Sequence, residues 1–269
     1  KEWQVLTEPI SVKDWEGAPD NHATGIYKYQ GRIKNLQPTI EPRFFSAVIA
    51  AIPRPNQAFW SLSALWTGWI WGLEAVNPIR QVLSRQRYDW NWHANALMSV
   101  FEAVHQFNQP SLKFWGIIAE NEPMLLLASL LAADAKGFKL EGFAQSMDDQ
   151  IAQCTWRSLS NHSIKPEPAN PIANEAARSY LQGKAEPASY QQIHAAIITK
   201  LAAENNLAAA PFMQNINQAA SETQRWVDTF FAESQTLRRL ESSHAALESG
   251  EWWLIDTSGA KITLADRLE

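Results

Sequence analysis

The chain has 269 residues, 46% apolar and 19% charged, with a formal charge of −5. That length buries a sizeable core in one large domain or two small ones. The negative balance excludes global attraction to nucleic acid or to an anionic membrane. A single cysteine, Cys154, excludes an intrachain disulfide framework and a Cys-based zinc site, which fits a reducing, cytoplasmic setting.

No apolar run reaches the roughly 18 residues that span a bilayer; the longest candidate, Trp60 to Val76, contains Ser61, Ser63, Thr67 and Glu74. No signal-peptide pattern is present, and a start at Lys1 without Met suggests a piece or product of something longer. Tryptophan is abundant, at 13 residues, with Trp60, Trp66, Trp69 and Trp71 in one short window. Such residues serve a bulky core or stacking platforms for bases.

Residues 1–43 are polar and irregular, with a turn at Glu16-Gly17-Ala18-Pro19 and short β-like pieces such as Thr24 to Tyr29. Gly17, Gly25 and Gly31 are too widely spaced for a phosphate or dinucleotide loop. The apolar run Phe44 to Ile52 predicts a buried strand, stopped by Pro53-Arg54-Pro55-Asn56. Residues 57–76 predict a helix with Leu62, Leu65, Trp66, Trp69, Leu73 and Val76 on one apolar face. Arg80, Arg85 and Arg87 run into Tyr88, Trp90 and Trp92. Basic residues interleaved with aromatics suit backbone tracking plus base stacking, making these the nucleic-acid candidates; the competing reading is a solvated loop with core tryptophans.

A second helix is expected from Trp92 to Phe107, then a strand from Leu112 to Ala119. Pro123 opens a further helix in its first turn, where no N–H is missed, and Gly137 closes it. Phe138 to Ala144 and Ile151 to Leu159 are strands joined by a short turn, hence antiparallel neighbours. The alternation implies a mostly parallel α/β sheet with one antiparallel strand near an edge. The Pro-rich segment 160–172 reads as a linker. Beyond it, helices are expected at 174–182, 189–203 with Ser189 as N-cap, and 215–233, with a turn at Gly183. A strand at 251–255 and a second at 261–264 complete the outline of a winged helix.

The segments FFSAVIAAI, FWSLSALWTGWIW, KFWGIIA, EPMLLLASLLAADAKGF, KLEGFAQ and QCTWRSL stand in the order of a family pattern. Over roughly residues 44–159 the chain resembles class I, Rossmann-like, S-adenosylmethionine-dependent DNA amino-methyltransferases. AARSYLQGKAEPASYQQIHAAIITKLAAE and GEWWLID resemble winged-helix modules. The division implied is an irregular segment 1–43, a methyltransferase-like α/β domain 44–159, a linker 160–172 and a winged-helix-like α+β domain 173–269.

In that family an Asp or Asn and a proline carbonyl bind the target amino group, and an aromatic ring stacks on the extruded base, as reading a flipped base requires. The resemblance places that site at Pro55, Asn56, Phe59 and Trp60. Here Ile52 holds the strand-end position, Arg54 interrupts the Pro-Pro pair, and no Gly-rich cofactor loop precedes residue 44. The expectation is a degenerate or incomplete methyltransferase site with no cofactor in this chain, in a nucleic-acid-associated or assembly module. Two alternatives stand beside it. One is part of an active methyltransferase whose S-adenosylmethionine-binding half lies elsewhere; the other is a purely structural interaction module.

Partners are then DNA, or a protein met by the C-terminal domain, with no membrane and no metal. Residues 171–269 hold 8 Lys/Arg against 12 Asp/Glu, a balance of −4, which suits a protein partner better than a duplex. Glu120 and Glu122 are candidates for acid–base work, with stabilisation of a helix N-terminus as the simpler role. His93 and His105 lack carboxylates at ligand spacing. Cys154, inside a strand, reads as a buried structural thiol.

Overall fold

A computed structural model describes residues 12–14, 26–29, 47–52, 54, 57–77, 80, 89–106, 112–159, 168–207, 218–240 and 246–255, with the side chains of 12–14, 27 and 57–60 excepted. Two short strands, β1 (Val12–Asp14) and β2 (Ile26–Lys28), pair in parallel. The main sheet is built from β3 (Ala47–Ile52), β4 (Lys113–Ile118), β5 (Phe138–Ser146) and β6 (Ile151–Ser158), in the order β3-β4-β6-β5. β3 and β4 are parallel, with Ala47 opposite Lys113 and Ile52 opposite Ile118. β6 runs antiparallel to both β4 and β5 and lies between them. The reversed strand is therefore one place in from the edge, and β5 forms the edge.

Between β3 and β4 the chain forms α1 (Gln57–Trp71), a 3-10 turn (Leu73–Val76) and α2 (Trp90–His105). Asp89 caps α2 by accepting from the Trp92 amide at 2.6 Å. α3 (Pro123–Ala135) follows β4 and is buried from Leu125 through Asp134. A helix apolar all round belongs inside. α3 packs beside α2, and the two cover the sheet face that presents Phe114, Gly116 and Ile118. The opposite face leaves Ile49, Trp115 and Ile117 exposed.

The C-terminal half contains α4 (Ala169–Lys184), β7 (Ala188–Ser189), α5 (Tyr190–Ala203), α6 (Ala219–Glu233), β8 (Leu237–Arg239) and β9 (Glu251–Leu254). Its three strands form an antiparallel sheet in the order β7-β9-β8. Ser189 and Gln192 form a reciprocal capping box on α5. The two halves share one continuous core, because α5 and α6 pack on α3. Asn91 at the start of α2 also clasps Ser221 on α6, donating to its hydroxyl at 2.6 Å and accepting from its amide at 3.0 Å.

Several expectations change. The helix expected over 57–76 stops at Trp71, because Gly72 takes a φ of 86° and a 3-10 turn follows. Of the apolar face read from the spacing, Leu62, Leu65, Trp66, Trp69 and Leu73 are exposed and Val76 is half-buried, while Ala64 is buried. α4 begins at Ala169, inside the Pro-rich segment, since Pro168 and Pro171 fall before and within a first turn that needs no amide donors. Gly183 does not turn the chain; α4 runs through it and ends at Ala185, which is left-handed at φ 51°. β9 pairs with β7 and β8, while residues 261–264 lie outside the described residues.

Candidate functional site

The carboxyl ends of β3 and β4 meet at the place where open α/β sheets form ligand crevices. Arg54, two residues past β3, extends its guanidinium as a fork across the loop after β4. One nitrogen meets Glu120 Oε2 and the other meets Glu122 Oε2 at 3.1 Å. Glu122 occupies the N-cap position of α3 but makes no side-chain cap bond; its carboxylate turns to Arg54. Both paired carboxylates are therefore committed to an ion pair.

A cleft of about 380 Å³ opens above this fork. One wall comes from Arg54, Glu120, Asn121 and Glu122, and the other from Gln224 and Asp228 on α6, with Glu248 beyond. Four carboxylates face one guanidinium, so the cleft attracts cations and hydrogen-bond donors and repels phosphate. Behind Gln224 and Asp228 runs a network between α5 and α6. Tyr190 donates to Asp228 Oδ1 at 2.7 Å. Gln224 Nε2 donates to the Tyr190 hydroxyl at 2.7 Å and to Asp228 Oδ1 at 2.9 Å. His194 Nε2 lies 3.0 Å from Gln224 Oε1, so the neutral ring carries its proton on Nε2.

Burial pushes His194 down to about 4, against weaker opposing effects of Gln224 and Asp228. Burial, reinforced by the bond to Asp228, pushes the Tyr190 phenol upward. Both groups are neutral at pH 7, and neither is a proton-transfer group near neutrality. A larger concavity of about 560 Å³ lies between β5 and helices α4 and α5. Small and apolar side chains such as Ala195, Ala196 and Phe143 line much of it.

Only some of the residues singled out in the sequence are among the described residues. Pro55, Asn56, Arg85 and Arg87 lie outside the described residues, as do the side chains of Phe59 and Trp60, whose backbones form the first turn of α1. Arg80 is exposed. Trp90 is half-buried against the core, edge-on to His93 at 5.9 Å. Trp92, two residues further on, is 38% exposed. His105 Nδ1 meets the Ser158 hydroxyl at 3.0 Å, and His93 is buried. Among the described residues no group of three or more His, Cys, Asp or Glu could hold a metal ion, and no described helix is long and apolar enough to cross a membrane.

Sequence reasoning missed the α5–α6 wall. Its only local signal is two polar pairs four residues apart, Tyr190 with His194 and Gln224 with Asp228, each on an otherwise apolar helix face. No family model matches the chain, and neither the curated proteins nor the solved structures contain a match.

Proposed function

We propose that this chain is a DNA-methylase-related unit with a degenerate methyltransferase site, serving as a nucleic-acid-associated or assembly component and not as a methylase in isolation. The strand order β3-β4-β6-β5, with reversed β6 inserted beside β4, supports the Rossmann-like methyltransferase reading of the first half. The succession helix, short strand, helix, helix, strand, strand, with β9 between β7 and β8, supports the winged-helix reading of the second.

One observation carries the loss of chemistry. At the carboxyl end of β3, where the resemblance expects a group that binds a base amine, Arg54 is locked between Glu120 and Glu122. The surrounding cleft is acidic, which disfavours a nucleotide phosphate.

A second reading is favoured by the free outer edge of β3 among the described strands. In it, parallel strands carrying the cofactor site are supplied from outside this chain.

Calorimetric titration of S-adenosylmethionine into the full chain tests the first reading. No heat is expected; a saturable one-site isotherm would sink the degenerate-site reading. Retention on immobilised DNA tests the nucleic-acid role. Replacing Arg80, Arg85 and Arg87 by Ala should reduce retention and flatten its salt dependence. Unchanged retention would remove the patch from the proposal.

A further inference from the structure

We propose that the cleft between the β4–α3 loop and α6 binds a small alkyl cation, an ammonium or guanidinium head on a short methylene stem. Among the described residues, the four carboxylates of Glu120, Glu122, Asp228 and Glu248 face the one guanidinium of Arg54, so three negative charges have no cation at the site. Arg54 is committed to one oxygen each of Glu120 and Glu122. Neither Asp228 nor Glu248 has an ion-pair partner among the described residues.

Buried groups hold the α6 side in place. His194 is fully buried and meets Gln224 Oε1 through Nε2. Gln224 and Tyr190 both donate to Asp228 Oδ1. That carboxylate is thereby fixed, and its Oδ2 accepts from no described group. Glu248 stands close enough to help push the Tyr190 phenol upward, so its charge adds to that of Asp228.

The facing loop is short of donors. His194 lines a recess that shares Glu120, Asn121, Glu122 and Pro123 with the cleft. With its proton on Nε2, the ring presents Nδ1 as an acceptor, buried and without a partner among the described residues. Asn121 borders both spaces. Its amide nitrogen donates to the Ser146 carbonyl at 2.7 Å, and its buried Oδ1 has no described partner. Buried acceptors left without donors are costly, and an ammonium or guanidinium is donor throughout.

Size and lining select an organic cation. At about 380 Å³, the cleft stands at the small end of the roughly 300–1,000 Å³ range of ligand sites. Pro123 and Met124 place apolar surface beside the carboxylates, where a methylene stem can lie. This inference does not depend on the methyltransferase reading.

The test is calorimetric titration of the full chain with agmatine, which carries both heads on one stem, at about pH 7.5 and about 20 mM salt. A saturable one-site isotherm is expected, weaker at about 300 mM salt. Asp228→Asn keeps the side-chain shape, removes the charge and should weaken binding about tenfold or more. Glu248→Gln, at an exposed position, should weaken it about threefold, and decides the matter should Asp228→Asn disturb the α5–α6 network. Glu233→Gln, exposed on α6 and outside the cleft, should leave binding unchanged. N-acetyl-argininamide, the same guanidinium on a blocked peptide unit, identifies the source. Tighter binding than agmatine assigns the site to an arginine of a partner protein, and weaker binding to a free amine. No saturable heat with either ligand up to about 5 mM overturns the proposal. So does wild-type affinity in both Asp228→Asn and Glu248→Gln, or equal weakening by Glu233→Gln and Glu248→Gln.

Discussion

Gly116→Ala offers a quantitative test of how the main sheet is packed. Gly116 lies mid-strand in β4, opposite Ala50 and Cys154. A Cβ there would sit 2.5 Å from Trp156 Cζ3, 3.0 Å from Trp156 Cη2 and 3.0 Å from Ile52 Cδ1. Carbon atoms at rest approach to about 3.5–4.0 Å, so the indole must retreat by roughly 1 Å. It has little room, being fully buried and held between Phe101 and Phe114, each at 5.6 Å.

Overpacking of this kind costs about 1–3 kcal/mol, and a rigid ring system puts the site at the upper end. Alanine's lower conformational entropy in the unfolded chain returns about 0.5–1 kcal/mol. The net loss is about 2 kcal/mol, which lowers the urea midpoint by roughly 1 M for a slope near 2 kcal/mol/M. Urea unfolding followed at 222 nm measures it. The double variant Gly116→Ala/Trp156→Phe should be less destabilised than the two single changes added together, by about 1 kcal/mol. A Gly116→Ala protein within 0.5 kcal/mol of wild type, or strict additivity in the double variant, would refute the packing account.

Two further predictions concern buried titratable groups. Burial holds His194 at about 4 in the folded chain, while the unfolded imidazole titrates near 6.5, so between those values the unfolded state binds more protons. Its contribution is fully present above pH 6.5 and is lost as pH falls toward 4, about 3 kcal/mol across the window. His93, also lowered by burial, acts in the same sense. Denaturant midpoints between pH 7.5 and 4.5 should fall more steeply in wild type than in His194→Gln, and parallel curves would contradict the assignment. Burial pushes the Cys154 thiol up to about 12. A thiol-exchange reagent at pH 8 should leave the native chain unmodified and label one thiol in denaturant; rapid native labelling would show that β6 opens.

Much of the architecture is legible in local pattern. The positions of β4, α3, the β5–β6 hairpin and α5 follow from an apolar run, a proline in a first turn, a closing glycine and a Ser-x-x-Gln capping box. These signals act within a few residues, so the chain alone carries them. The Pro-rich stretch before α4 misleads, because a helix's first turn tolerates proline and composition cannot tell a linker from a helix start.

Two features depend on the assembled fold. The cleft is one, since its walls come from segments some hundred residues apart, Arg54 with Glu120 and Glu122 on one side and Gln224 with Asp228 on the other. No spacing rule joins them; the packing of α5 and α6 on α3 does. The direction of α1 is the other. Periodicity shows that Leu62, Trp66 and Trp69 share a face, and it is equally satisfied whether that face turns in or out. The sheet face that presents Phe114 and Ile118 is covered by α2 and α3. In α1, Ala64 is buried, while Trp66, Trp69 and Trp71 are exposed.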